Sequence, residues 1–170
     1  MARLLIRLTL LLGVCSSAMA TASEVTLTVT LPRLNVAEYH APYVAVWIED
    51  EKRQATQVAL WYDVAMADGE GQQWLKDLRQ WWRRGGRALS MPVDGLTGAT
   101  RGPGQHTVST RLTAALSSLP PGRYQLVVEA AREVGGREVL QLPVTLPLTA
   151  QQLPSEITGQ SELGAIRLHF

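Results

Sequence analysis

After the first twenty or so positions, apolar and polar residues alternate along most of the chain, and period two dominates. Over 24–31 the alternation is clean: Val25, Leu27, Val29 and Leu31 share one face, and Thr26, Thr28 and Thr30 the other. That predicts a half-buried β-strand, closed by Pro32. Residues 34–41 form a connector containing Tyr39 and His40. A second strand over 43–48 is rich in β-branched and aromatic residues. Glu49-Asp50-Glu51-Lys52 is a charged turn, and a third strand follows over 57–62, so the pair reads as a hairpin. Residues 107–112 predict another strand. A Pro-Gly turn over 119–124 leads into a strand over 125–131, with Tyr124, Leu126, Val128 and Ala130 inward. Gly135-Gly136 turns the chain into 139–148, where Leu140, Leu142, Val144, Leu146 and Leu148 keep register. Pro143 and Pro147 inside this run predict an edge strand or irregular pairing. A last strand over 164–170 places Ile166, Leu168 and Phe170 on one face.

One segment changes period. Over 72–84, Trp74, Leu78, Trp81 and Trp82 recur at helical spacing with Leu75 on the same side. Lys76, Asp77, Arg79, Gln80 and Arg83 fall mostly opposite, and Gly85-Gly86 ends the helix. The tryptophans read as a packing face against a sheet. About seven short strands with Pro/Gly turns and one inserted Trp-rich α-helix predict a mainly β fold, an antiparallel β-sandwich of immunoglobulin-like type. An antiparallel barrel is the other closure open to such a pattern. No internal repeat or long linker divides the chain, so 21–170 is expected to be a single domain.

The beginning of the chain reads differently. Arg3 and Arg7 precede an apolar run over 8–14, and Ala18-Met19-Ala20 is a small-x-small cleavage site. Residues 1–20 therefore read as a secretory signal peptide, too short in its apolar run for the ~20 residues that span a bilayer. The expected destination is the periplasm, with no membrane span after cleavage. Cys15 raises the alternative of a lipoprotein, but Val14 is a poor fit to the small residue expected before a lipidated cysteine. Cleavage after Ala20 removes the sole cysteine, and with it disulfides and Cys-based chemistry.

Composition narrows the function classes. Hydrophobic residues make up 46% of the 170-residue chain and charged residues 18%, which supports a packed core rather than disorder. With Arg3 and Arg7 set aside, 14 basic residues face 15 acidic ones, so there is no electrostatic case for nucleic acid. His40, His106 and His169 show no metal-ligand spacing. Ser90, Ser109, Ser117 and Ser118 lack a nucleophile-elbow context, and the carboxylates of 63–70 show no pairing that argues for hydrolysis.

The segment that stands out is Asp94-Gly95-Leu96-Thr97-Gly98-Ala99-Thr100, followed by Arg101-Gly102-Pro103-Gly104. Its dipeptides are those of turns. It also has the form Asp-x-x-Ser/Thr-Gly-Ala-Thr, and so resembles the acceptor motif of bacterial FMN transferases. That resemblance implies that Thr100 takes FMN through a phosphoester. Asp94, Thr97, Gly98 and Ala99 would then form the transferase recognition motif. The segments 40–48, 74–82, 94–104 and 124–142 together resemble a family of uncharacterised bacterial periplasmic proteins. Its genes often lie near those of PepSY-type membrane proteins and flavin transferases, in settings of iron uptake or extracytosolic electron transfer. The resemblance implies a periplasmic redox carrier between a membrane PepSY-type reductase and an extracytosolic acceptor, without turnover of its own. Trp81, Trp82 and His40 are the expected flavin contacts, since indoles offer flat apolar surface next to the motif. The alternative is a non-catalytic exported binding or assembly module without flavin.

Overall fold

A computed structural model describes residues 24–170. The signal peptide expected over 1–20, and Cys15 with it, lie outside the described residues. The strands are β1 (Thr26–Leu31), β2 (Tyr43–Asp50), β3 (Ala55–Trp61), β4 (Thr97–Gly98), β5 (Gly104–Val108), β6 (Gly122–Ala131), β7 (Arg137–Leu146), β8 (Ser155–Thr158) and β9 (Ala165–His169). They form a four-stranded sheet in the order β5-β1-β9-β8 and a five-stranded sheet in the order β4-β3-β2-β6-β7. Both sheets have open edges, so the fold is the expected sandwich and not a barrel. Pairing is antiparallel except between β3 and β4.

The sequence explains why the larger sheet buries both faces. In β2, Val44, Val46 and Ile48 point into the sandwich, and Ala45 and Trp47 point out of it, yet all are buried. The inner core joins these to Leu27 and Val29 of β1, Leu126 and Val128 of β6, and Ile166 and Leu168 of β9. On the outer face, Trp47, Leu60, Tyr62 and Val127 lie under a layer contributed by Leu75, Leu78, Trp81 and Leu96. The segment between β3 and β4 is therefore a lid on the sheet. β7 with its Pro143 is an edge strand, as the prolines predict.

Three local expectations differ from the structure. The helix predicted over 72–84 is a 3₁₀ segment at Ala67–Asp77 followed by a short α-helix, α1 (Arg79–Arg83). Asp68 and Gly69 have positive φ, and Leu78 breaks the helical path at φ −74°, ψ 70°. Leu75 of the 3₁₀ segment, Leu78 at the break and Trp81 of α1 are buried, and Trp74 is left exposed. The strand predicted over 107–112 stops at Val108, and a second helix, α2 (Thr110–Ser118), follows. Its Leu112, Ala115 and Leu116 close one end of the inner core, at helical rather than alternating spacing. Phe170 lies beyond β9 and is exposed, and β8 was not anticipated.

Two carboxylates lock the β6–β7 hairpin to the β8–β9 turn, and so join the sheets. Arg132 donates to both carboxylate oxygens of Glu162 at 2.9 and 3.1 Å, and the Gly136 N–H donates to the same group at 2.8 Å. In the other direction Glu138 accepts the backbone N–H groups of Gln160, Ser161 and Leu163 at 2.6–3.0 Å. Burial works to raise the Glu138 pKa, but the bonds from Gln160, Leu163 and Ser161 outweigh it and hold the pKa below its ordinary value near 4.5. A carboxyl depressed on folding stabilises the protein above its unfolded pKa, and that stability drains away as pH falls through the folded value. Glu138→Gln should therefore lower stability by about 1–3 kcal/mol at neutral pH. The gap from wild type should close in melts taken progressively below pH 4.5.

Candidate functional site

The motif runs along the edge of the larger sheet beside β3. Leu60 and Tyr62 donate their N–H groups to the carbonyls of Leu96 and Gly98, and the Thr100 N–H donates to the Tyr62 carbonyl at 3.1 Å. This parallel pairing is what makes a strand of Thr97–Gly98, and Thr100 follows two residues beyond it. Leu96 anchors the segment in the outer core, while Asp94 and Ala99 are exposed. After Thr100 the chain crosses to β5, the edge strand of the other sheet. Trp61 holds that crossing: the Arg101 guanidinium lies 5.6 Å from its ring, and His106 meets it edge-on at 5.8 Å.

The two motif threonines differ in what their hydroxyls do. Thr97 donates its O–H to the Val93 carbonyl at 2.9 Å. Among the described residues, no hydrogen bond engages the Thr100 hydroxyl. Gly98 adds a second observation. Its φ is not positive, and a Cβ there would meet only Trp61 Cδ1 at an ordinary 3.6 Å. The fold does not need glycine at this position. By contrast a Cβ on Gly71 would collide with the Asp63 carbonyl oxygen, so Gly71 is required for the 3₁₀ segment to pack on the end of β3.

Thr100 lines a cleft of about 370 Å³ between the lid segment, the connector at His40 and Ala41 with the start of β2, and the end of the β6–β7 hairpin. Tyr43 and Trp74 supply aromatic surface, with Met66 and Val134 beside them. Trp74 is 41% exposed, and the Lys76 ammonium sits 5.9 Å from its ring centroid. Tyr43 is fixed by Tyr62, whose ring it meets edge-on at 6.1 Å. Burial pushes the Tyr43 pKa up, and the Asp63 carboxylate adds to this, so the phenol stays neutral at physiological pH.

The charged lining is mixed. Asp63, Asp77 and Glu133 bring carboxylates, and His40 and Arg132 bring the basic groups. Arg132 is committed to Glu162. His40 lies between Glu38 at 3.2 Å and Glu133 at 3.5 Å, which ties the connector to the hairpin across the cleft.

His40 and Thr100 thus share one cleft, and Trp81 and Trp82 lie outside it. Trp81 is fully buried: its indole N–H donates to Gln57 at 2.7 Å, and its backbone N–H donates to the buried Glu129 at the same distance. Gly86 packs so close to the Trp81 ring that a Cβ there would overlap it. Trp82 packs half-buried on the outer core, 6.3 Å from Trp81. Sequence reasoning assigned Trp74 to the packing face and passed over Tyr43. The signal for Trp74 was the Gly69-Glu70-Gly71 run, which argues against a regular α-helix just before it.

The model of the family described as "Predicted periplasmic protein (DUF2271)" matches residues 24–165. No curated protein and no solved structure matches the chain.

Proposed function

The chain belongs to this DUF2271 family of predicted periplasmic proteins, and we propose that it is a redox carrier with FMN attached covalently to Thr100. The supporting observation is the position of Thr100: an uncommitted hydroxyl just past a short edge strand, opening into the aromatic cleft. The residues present fit FMN. The cleft falls within the 300–1,000 Å³ typical of small-molecule sites, and Trp74 and Tyr43 give it flat apolar walls. A phosphodiester on Thr100 bears one negative charge, and Arg101 is the adjacent cation.

Attachment is chemistry on this chain performed by another enzyme. The Thr100 oxygen attacks the FMN-side phosphorus of FAD and forms the new P–O bond. The pyrophosphate bond breaks, AMP leaves with the bridging oxygen, and the hydroxyl proton passes to a base of the transferase. A transferase has to reach around the acceptor strand. Gly98 and Ala99 are small where the fold makes no demand for it, and exposed Asp94 marks the near end of the segment. Once attached, the flavin supplies the electron chemistry, and the protein supplies its position and electrostatic surroundings. The partners in this reading are the FMN transferase, a PepSY-type membrane reductase and an extracytosolic acceptor, with iron acquisition as one setting.

Incubating the purified protein with an FMN transferase, FAD and Mg²⁺ tests the reading. Flavin fluorescence should survive denaturing electrophoresis for wild type and vanish for Thr100→Ala. A wild-type band that stays dark beside a known acceptor would contradict it. A second reading, an exported binding module without flavin, draws on the exposed Tyr39, Met66, Trp74 and Val134 around the same cleft.

A further inference from the structure

We infer that the cleft beside Thr100 is the seat of the isoalloxazine ring, with the Trp74 indole as its stacking surface. The inference rests on attachment at Thr100 but goes beyond it, because a tethered flavin could equally hang in solvent.

Three observations point to a seat. First, Trp74 is the large aromatic of the lid segment that the outer core leaves out. It is held at the cleft rather than buried with Leu75, Leu78 and Trp81. An indole left 41% exposed gives up a large share of the burial it could have had. Second, the segment bearing it is rigidly placed. Gly71 packs directly on the Asp63 carbonyl, and Leu75 is buried one residue after Trp74. A platform fixed in this way costs little ordering when a flat ring settles on it. Third, Thr100 is fixed by its N–H bond to the Tyr62 carbonyl, and the Tyr62 ring meets Tyr43, a second wall of the cleft. The attachment point and the Tyr43 wall are therefore both anchored on Tyr62. Thr100, Trp74 and Tyr43 line the same cleft, so a ribityl chain directed into it would have both rings as walls.

The seat also has an electrostatic character. Asp63, Asp77 and Glu133 line it, while Arg132 is neutralised by Glu162. Trp74 and these carboxylates are positioning groups for the ring. None of them takes part in the attachment reaction.

The test uses the full flavinylated protein and compares wild type, Trp74→Ala, Trp74→Phe and Trp82→Ala. Intact mass first establishes that each variant has one FMN. Indole stacked on a flavin quenches its fluorescence, so wild-type emission should lie several-fold below that of free FMN at equal absorbance. Trp74→Ala should restore most of it and lose the induced circular dichroism of the flavin band. Trp74→Phe should fall between, and Trp82→Ala should match wild type. Melting temperatures of the Trp74 variants should stay within a few degrees of wild type, since the side chain lies outside both cores. Covalent FMN that emits like free FMN whether or not Trp74 is present overturns the seat and leaves attachment standing. An unmodified mass in an active transferase background overturns attachment, and the seat with it.

Discussion

Glu162→Ala should cost about 3–5 kcal/mol of stability, a fall of roughly 6–20 °C in melting temperature for a domain of this size. Both partners of the ion pair are nearly closed off from water, with 6% of the Arg132 side chain and 4% of the Glu162 side chain exposed. Truncating the acid leaves a guanidinium without its counter-charge in a site that water barely reaches. It also strips the Gly136 N–H of its acceptor. The size of the loss comes from the stranded charge rather than from the pair's net worth. The double variant Arg132→Met/Glu162→Leu should therefore recover most of the loss, because it removes both charges together. Thermal and urea melts of the three proteins check this. A single variant within 1 kcal/mol of wild type would mean that water enters the hairpin junction and solvates Arg132.

Trp81→Ala carries the other large expected effect, about 3–5 kcal/mol, the usual cost of emptying a buried aromatic site. The indole fills the space between the lid and the larger sheet, and Gly86 leaves no slack for the layer to collapse into it. The Gln57 side-chain oxygen also loses its donor. Trp81→Phe should keep most of the packing and lose closer to 1 kcal/mol for the hydrogen bond. The same truncation at Trp74 should cost under about 1 kcal/mol, because that ring lies in neither core. Two tryptophans seven positions apart would thus separate cleanly, one in a melt and the other in a flavin spectrum.

That contrast also shows where sequence reading succeeds and where it stops. The half-buried strands were legible because alternation is a local property. Val25, Leu27, Val29 and Leu31 had to face one way, and all four are buried. Pro143 announced an edge strand, because a proline removes a donor that a central strand would need. The helix expected over 72–84 was misread because spacing alone does not reveal a break: Leu78, at φ −74° and ψ 70°, separates a 3₁₀ segment from a short α-helix. Leu75, Leu78 and Trp81 are buried across that break, and Trp74 is left off the buried face. Helix α2 was missed because 107–112 contains β-branched residues, and only contacts with the inner core decide in favour of the helix. At the candidate site, the motif was visible as a string. Its setting was not, since the parallel pairing with β3 and the meeting of His40, Tyr43, Trp74 and Thr100 depend on contacts distant in sequence.

The central claim is that Thr100 is a flavin acceptor. It is tested most directly by intact mass, with fragment mapping, of the mature protein exported from cells that have an active FMN transferase. Wild type should show one covalent FMN, localised to the peptide containing 94–101, and Thr100→Ala should show none. Wild-type protein of unmodified mass, or FMN mapped to Thr97 instead, would contradict the account.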